Sequence, residues 1–128
     1  MRIVTIVLRS LLGLIFVVFG LNGFQHFLPN PPMPQGAVQF FGALAATGYM
    51  VPLIFTTQVV GGALLLTGTM VPLALVILAP VIVNIVCFHL YLAPSGLPVA
   101  IVVAAIAAFL AWQHRAAFAP LFGSGAGN

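Results

Sequence analysis

The sequence predicts an all-α, membrane-embedded four-helix bundle with a short interfacial helix in the loop between helices one and two. Three observations carry this. The 128 residues contain no Asp, no Glu and no Lys, whereas a water-soluble domain keeps roughly a quarter of its residues charged. The only formal charges, Arg2, Arg9 and Arg115, stand near the two ends. Long apolar runs fill 3–28, 52–68, 71–92 and 97–118, Arg9 and Arg115 falling near the chain-terminal ends of the first and last, and the overall mean hydropathy is +1.31. A bilayer admits elements that satisfy their own backbone, and at about 1.5 Å per residue a run near 20 residues crosses it as a helix.

The first run begins like a signal peptide, with Arg2 and Arg9 ahead of an apolar stretch at 11–19. No small-x-small cleavage site follows and the run is too long for a signal core, so an uncleaved first helix is expected. Pro29, Pro31, Pro32 and Pro34 then forbid regular helix. After them, Val38, Phe41, Leu44 and Ala45 recur at helical spacing within 37–47, a stretch too short to span and suited to lying on the membrane surface.

Pro52, Pro72 and Pro98 each fall in the first turn of a later span, where the missing N–H costs little. Pro80 lies inside the third span and is expected to kink it, freeing a carbonyl near Val76. The Gly/Ser-rich segment 123–128 reads as a flexible tail, which leaves 1–122 as one four-helix domain. Four crossings return both termini to one side, so all three arginines can be cytoplasmic. Trp112, His114 and Arg115 fit the inner boundary, and Tyr49 and Tyr91 the outer one. The sequence pI near 10.0 therefore reports topology and excludes nucleic acid as a partner, because three scattered arginines make no basic stripe.

Cys87 is the single cysteine, which excludes an internal disulfide and a two-cysteine redox pair; it reads as a small buried apolar residue. Ala100, Ala104, Ala107, Ala108 and Ala111, with Gly13, Gly20, Gly61 and Gly62, read as small-residue faces for close helix packing. The informative residues are the polar ones within spans. Counted from the span ends, Asn22, Gln58 and Asn84 all fall roughly 9–10 Å below the outer surface. His26 and His89 lie above them, roughly 3–5 Å deep. Asn22, Gln25 and His26 share one helix face, whereas Asn84 and His89 stand about 140° apart.

This outer cluster has more than one use. The three carboxamides can hydrogen-bond across helices, each contact worth on the order of 1 kcal/mol in lipid. Alternatively, Asn22, Gln25, His26, Gln58, Asn84 and His89 can line a pocket for a quinone, whose carbonyls need donors at the edge of an apolar slot walled by Phe16, Phe19, Phe24, Phe40 and Phe55. A b-type haem held by His26 and His89 is a weaker alternative, and zinc has only Cys87 to add to those histidines. Carboxylate-based proton relays and hydrolase chemistry are excluded by composition, and no nucleophile–base pair marks a catalytic set.

The stretch from Gly20 to Phe27 (Gly-Leu-Asn-Gly-Phe-Gln-His-Phe), Thr47-Gly48-Tyr49, Gln58-Val-Val-Gly61-Gly62 and Val83-Asn84-Ile-Val-Cys-Phe88-His89 together resemble the DoxX family of membrane proteins. The resemblance implies a compact four-helix protein of a prokaryotic plasma membrane, linked to respiratory or sulfur redox chemistry through quinones. Where many relatives resemble a Glu-x-x-Gly-Gly pattern, this chain has Gln58, a group that hydrogen-bonds but cannot exchange a proton. The reading is thus an auxiliary, non-catalytic subunit of a quinone-linked redox system, partnered by other membrane subunits. The alternatives are a pure assembly subunit without a ligand and a catalytic quinone-reducing subunit.

Overall fold

The structure, a computed structural model, describes residues 2–26 and 32–123. The end of the first predicted span, Pro29, Pro31 and most of the predicted tail lie outside the described residues. The elements are α1 (Arg2–Gln25), α2 (Gln35–Ala46), α3 (Met50–Thr67), α4 (Val71–Tyr91), α5 (Leu97–Gln113) and α6 (Arg115–Phe118), with short 3₁₀ turns at Pro94–Gly96 and Ala119–Phe122. Helices α1, α3, α4 and the segment Pro94–Gln113 are each long and apolar enough to cross a membrane. In those spans only 22–28% of the residues are buried inside the chain. The rest is a continuous apolar surface, including Leu14, Val83 and Val102, that requires lipid around it. This is a multi-pass, all-α membrane protein.

Helices α1 and α3 form the tightest pair, and glycine sets their distance. A Cβ on Gly13 would stand 2.8 Å from both the Gly62 carbonyl oxygen and the Leu66 nitrogen, and one on Gly62 would stand 2.8 Å from the Gly13 oxygen. Further along, a Cβ on Gly20 would meet Val59 at 2.7 Å, and Gly23 faces the Phe55 ring. Those pairings run antiparallel. Gly61, one residue around α3, leaves room for Leu78 of α4. Helix α5 packs on both α4 and α1, which closes the ring α1-α3-α4-α5.

The core occupies one half of that ring. Leu12 and Phe16 of α1, Leu65 of α3, Leu75, Leu78 and Ile82 of α4, and Val103, Ile106 and Leu110 of α5 interlock toward the end that carries the arginines. At that end the Arg9 guanidinium donates to the Leu65 carbonyl at 2.6 Å and to Leu66 at 3.4 Å. Both carbonyls lie in the last turn of α3, that of Leu65 also accepting the Gly68 N–H at 3.3 Å, and a cation there is favoured by the helix dipole. Gly68 ends the helix at φ +72°, and a Cβ there would lie 2.5 Å from Nη1 of Arg9. Arg9→Met is expected to lower the thermal midpoint in detergent by an amount equivalent to about 1–2 kcal/mol, with Arg9→Lys in between. Equal midpoints for all three would mean that Arg9 serves only as a topological charge.

At the opposite end, α2 is joined to α3 by a tight turn. The Thr47 hydroxyl donates to the Leu44 carbonyl at 2.6 Å and accepts from the Met50 N–H at 3.0 Å, which ends one helix and starts the next. Gly48 sits between them at φ +82° with open space where a Cβ would project. Gly48→Ala therefore tests backbone conformation alone and is expected to cost about 1 kcal/mol. Gly42→Ala, equally uncrowded but helical, is expected to be neutral or stabilising in the same melting experiment.

Three expectations are corrected. The first helix ends at Gln25, because His26 turns to φ +53° and its N–H caps the Asn22 carbonyl at 2.7 Å. The last span does not continue to residue 118. The His114 Nδ1–H takes the Leu110 carbonyl at 2.9 Å and Arg115 takes that of Trp112 at 2.9 Å. The His114 N–H still reaches the Leu110 carbonyl at 3.0 Å, but His114 leaves helical geometry at φ −107° and ψ 20°, so α5 ends at Gln113 and α6 starts afresh. Cys87 is exposed and not buried, because it falls on the outward face of α4 with Val83, where lipid accepts a thiol as readily as a core does.

Candidate functional site

In the half of the bundle away from the arginines the helices do not close on one another. They enclose a cavity of about 750 Å³, lined from all of α1 to α5. That volume lies within the range of pockets that hold cofactors and drug-sized ligands. The side chains of Phe16, Gln58, Ala100 and Val103 are buried and form its floor. Phe19, Phe41, Asn84 and Val99 line it yet remain exposed, and so mark its rim. Helix α2 lies over it through Phe40, Phe41, Leu44 and Ala45.

Aromatic contacts hold that cover in place. Phe88 of α4 meets Phe41 at 5.2 Å and Phe40 at 5.7 Å between ring centroids, and stands edge-on to His89 at 5.1 Å. Such pairs add about 0.5–1.5 kcal/mol each beyond their buried area. Across the bundle, Phe24 of α1 packs against Phe55 of α3 at 6.3 Å. Phe24 thus supports the wall, whereas Phe16, Phe19, Phe40 and Phe55 form it.

Of the six polar residues picked out in the sequence, Asn22, His26, Gln58, Asn84 and His89 all line this one cavity. Gln25 is exposed and stands outside the lining. Asn84 and His89 both reach it despite the angle between them on α4, because Val81, Ile85 and Phe88 fill the arc between. The sequence reading missed Phe41, Phe88, Val99 and Val103. Nothing in an apolar side chain of a lipid-embedded helix tells an inward from an outward position when both surroundings are apolar.

Gln58 is the telling residue. It is 8% exposed, and its carboxamide makes no hydrogen bond to any described group. No fully enclosed side-chain nitrogen or oxygen among the described residues lacks a partner, so this carboxamide opens onto the cavity. An unpaired amide in such surroundings costs about 1–3 kcal/mol unless something in the cavity bonds it. His89 is oriented differently. Its Nδ1 lies 2.8 Å from the Ile85 carbonyl, which only accepts, so Nδ1 carries a proton and in the neutral tautomer Nε2 is left as the acceptor.

The DoxX family model matches residues 4–92. This chain belongs to the DoxX family. The matched part of this DoxX protein runs from α1 through α4 and contains every polar residue of the cavity; α5, which adds only apolar wall, lies beyond it. The chain is 35% identical over 60 residues to a Bacillus subtilis (strain 168) protein named "Putative oxidoreductase CatD". That stretch is 47% of this chain and 40% of the relative, so the likeness spans less than half of either. No solved structure matches.

Proposed function

We propose that this DoxX protein binds a neutral, ring-bearing lipophilic molecule of the quinone type and serves as an auxiliary subunit of a quinone-linked redox system. The observation that carries this is Gln58, whose carboxamide bonds no described group and stands in the otherwise aromatic and aliphatic floor of the cavity. Carboxamides and imidazoles around apolar walls suit a ligand with one or two polar oxygens on a flat ring. The cavity lining carries no charge, which suits a neutral ligand. The named relative, itself called an oxidoreductase, supports a redox setting.

The composition of the cavity supports a non-catalytic role for this chain alone. With no carboxylate in the chain, and with Gln58 where the family pattern has Glu, its proton-exchanging groups reduce to the two imidazoles. Partner subunits would then carry the electron transfer. The three arginines favour a plasma-membrane orientation with both termini cytoplasmic, the cavity lying in the outer half. The test is purification in a mild detergent, followed by absorption spectroscopy and mass spectrometry of extracted small molecules and co-purifying chains. About one quinone per chain is expected. Structural lipid alone, together with several other subunits, would instead make this a ligand-free assembly subunit.

A further inference from the structure

We infer that His89 makes the cavity selective for ligands bearing a ring hydroxyl, the reduced phenol or quinol form, over ligands of the same shape that only accept hydrogen bonds. The inference rests on the cavity being a ligand site, as proposed above. Carboxamides cannot enforce such a choice, since Asn and Gln rotate to present either a donor or an acceptor. His89 is fixed. Its Nδ1–H is committed to Ile85 at 2.8 Å, so the neutral ring has only a lone pair at Nε2 to offer. Nε2 makes no bond to any described group and, by the same accounting as for Gln58, is not sealed off.

The surroundings hold the ring in that pose. Phe88 stands edge-on against it at an interplanar angle of 89°. Gly96, in the turn before α5, lies directly beneath: a Cβ there would come within 2.6 Å of Nε2 and press on Cδ2. Gly96 has φ −93° and ψ 0°, which any residue adopts, so its lack of a side chain serves the ring and not the backbone. The other imidazole, His26, is exposed at the left-handed end of α1 and has no comparable fixed partner.

The experiment compares binding of a para-decyl phenol with binding of its methyl ether, by calorimetric titration of the full chain in lipid nanodiscs. The wild type is expected to bind the phenol about tenfold more tightly, the worth of one directed hydrogen bond. His89→Gln, which can still accept, should keep most of that ratio, and His89→Phe should bring it to about one. Gly96→Ala should also reduce it by displacing the ring, and decides the question if His89→Phe fails to fold. Equal affinities in the wild type, or a ratio that survives both His89→Phe and Gly96→Ala, would overturn the inference while leaving the cavity a ligand site. Binding of neither probe would overturn both.

Discussion

Gln58→Leu is expected to lose ligand retention by at least tenfold while raising the thermal midpoint of the detergent-solubilised protein. The two effects share one cause. The Gln58 side chain is 8% exposed, and its carboxamide bonds no described group and opens only onto the cavity, so the unliganded fold carries a partly desolvated amide as a liability. A leucine of similar size removes that liability, on the order of 1–2 kcal/mol, and with it the polar contact at the floor. Ligand content per chain after purification and the midpoint of thermal unfolding measure the two halves. If Gln58 were instead glue between helices, the substitution would lower the midpoint, because it would strand the partner group. Opposite signs thus separate a binding site from a packing contact.

Gly62→Leu is expected to have the largest effect on folding, with little or no monodisperse protein recovered after extraction. Even Gly62→Ala is expected to cost about 2–3 kcal/mol, since a methyl group would meet backbone atoms of α1 at 2.8 Å and helices cannot yield as side chains do. Gly42→Ala, with nothing in reach, is the control. Size-exclusion profiles and melting curves of the three variants decide this. A well-folded Gly62→Leu protein would mean that α1 and α3 are not held at the distance described.

The pattern of these effects explains what the sequence reveals and what it hides. The four spans were legible because hydrophobic length and proline placement are local properties, and α2 was legible from its helical spacing within a stretch too short to cross. Gly13, Gly20, Gly61 and Gly62 were legible as packing residues, because small side chains at helical spacing have few other uses in lipid. The breaks at His26 and His114 were not, since each depends on where one residue's backbone or imidazole turns. Arg9 is similar: its charge was evident, but its reach to the Leu65 carbonyl depends on the antiparallel register of α1 and α3.

The polar residues of the cavity were found by a simple rule, that an amide or imidazole at membrane depth is costly and tends to have a use. Its apolar wall had no such rule behind it. Phe41 and Phe88 carry the cover, yet their sequence context does not differ from that of aromatic residues facing lipid. The alanine face of α5 is a related case. Ala100 is buried and Ala104, Ala107 and Ala111 pack against the core as expected, yet Ala107, Ala108 and Ala111 also border, with Leu75, Ala79, Ile82 and Val83, a shallow apolar groove of about 220 Å³ between α5 and α4.

That the cavity beneath α2 holds a lipophilic ring molecule is tested most directly by photolabelling. A quinone carrying a diazirine, irradiated with the wild-type protein in lipid nanodiscs and mapped by peptide mass spectrometry, is expected to label Phe40, Phe41, Phe88 and the neighbourhood of Gln58. Excess unlabelled quinone is expected to suppress the reaction at those positions. Labelling spread evenly over outward residues such as Leu14, Val83 and Val102, and indifferent to competitor, would contradict it.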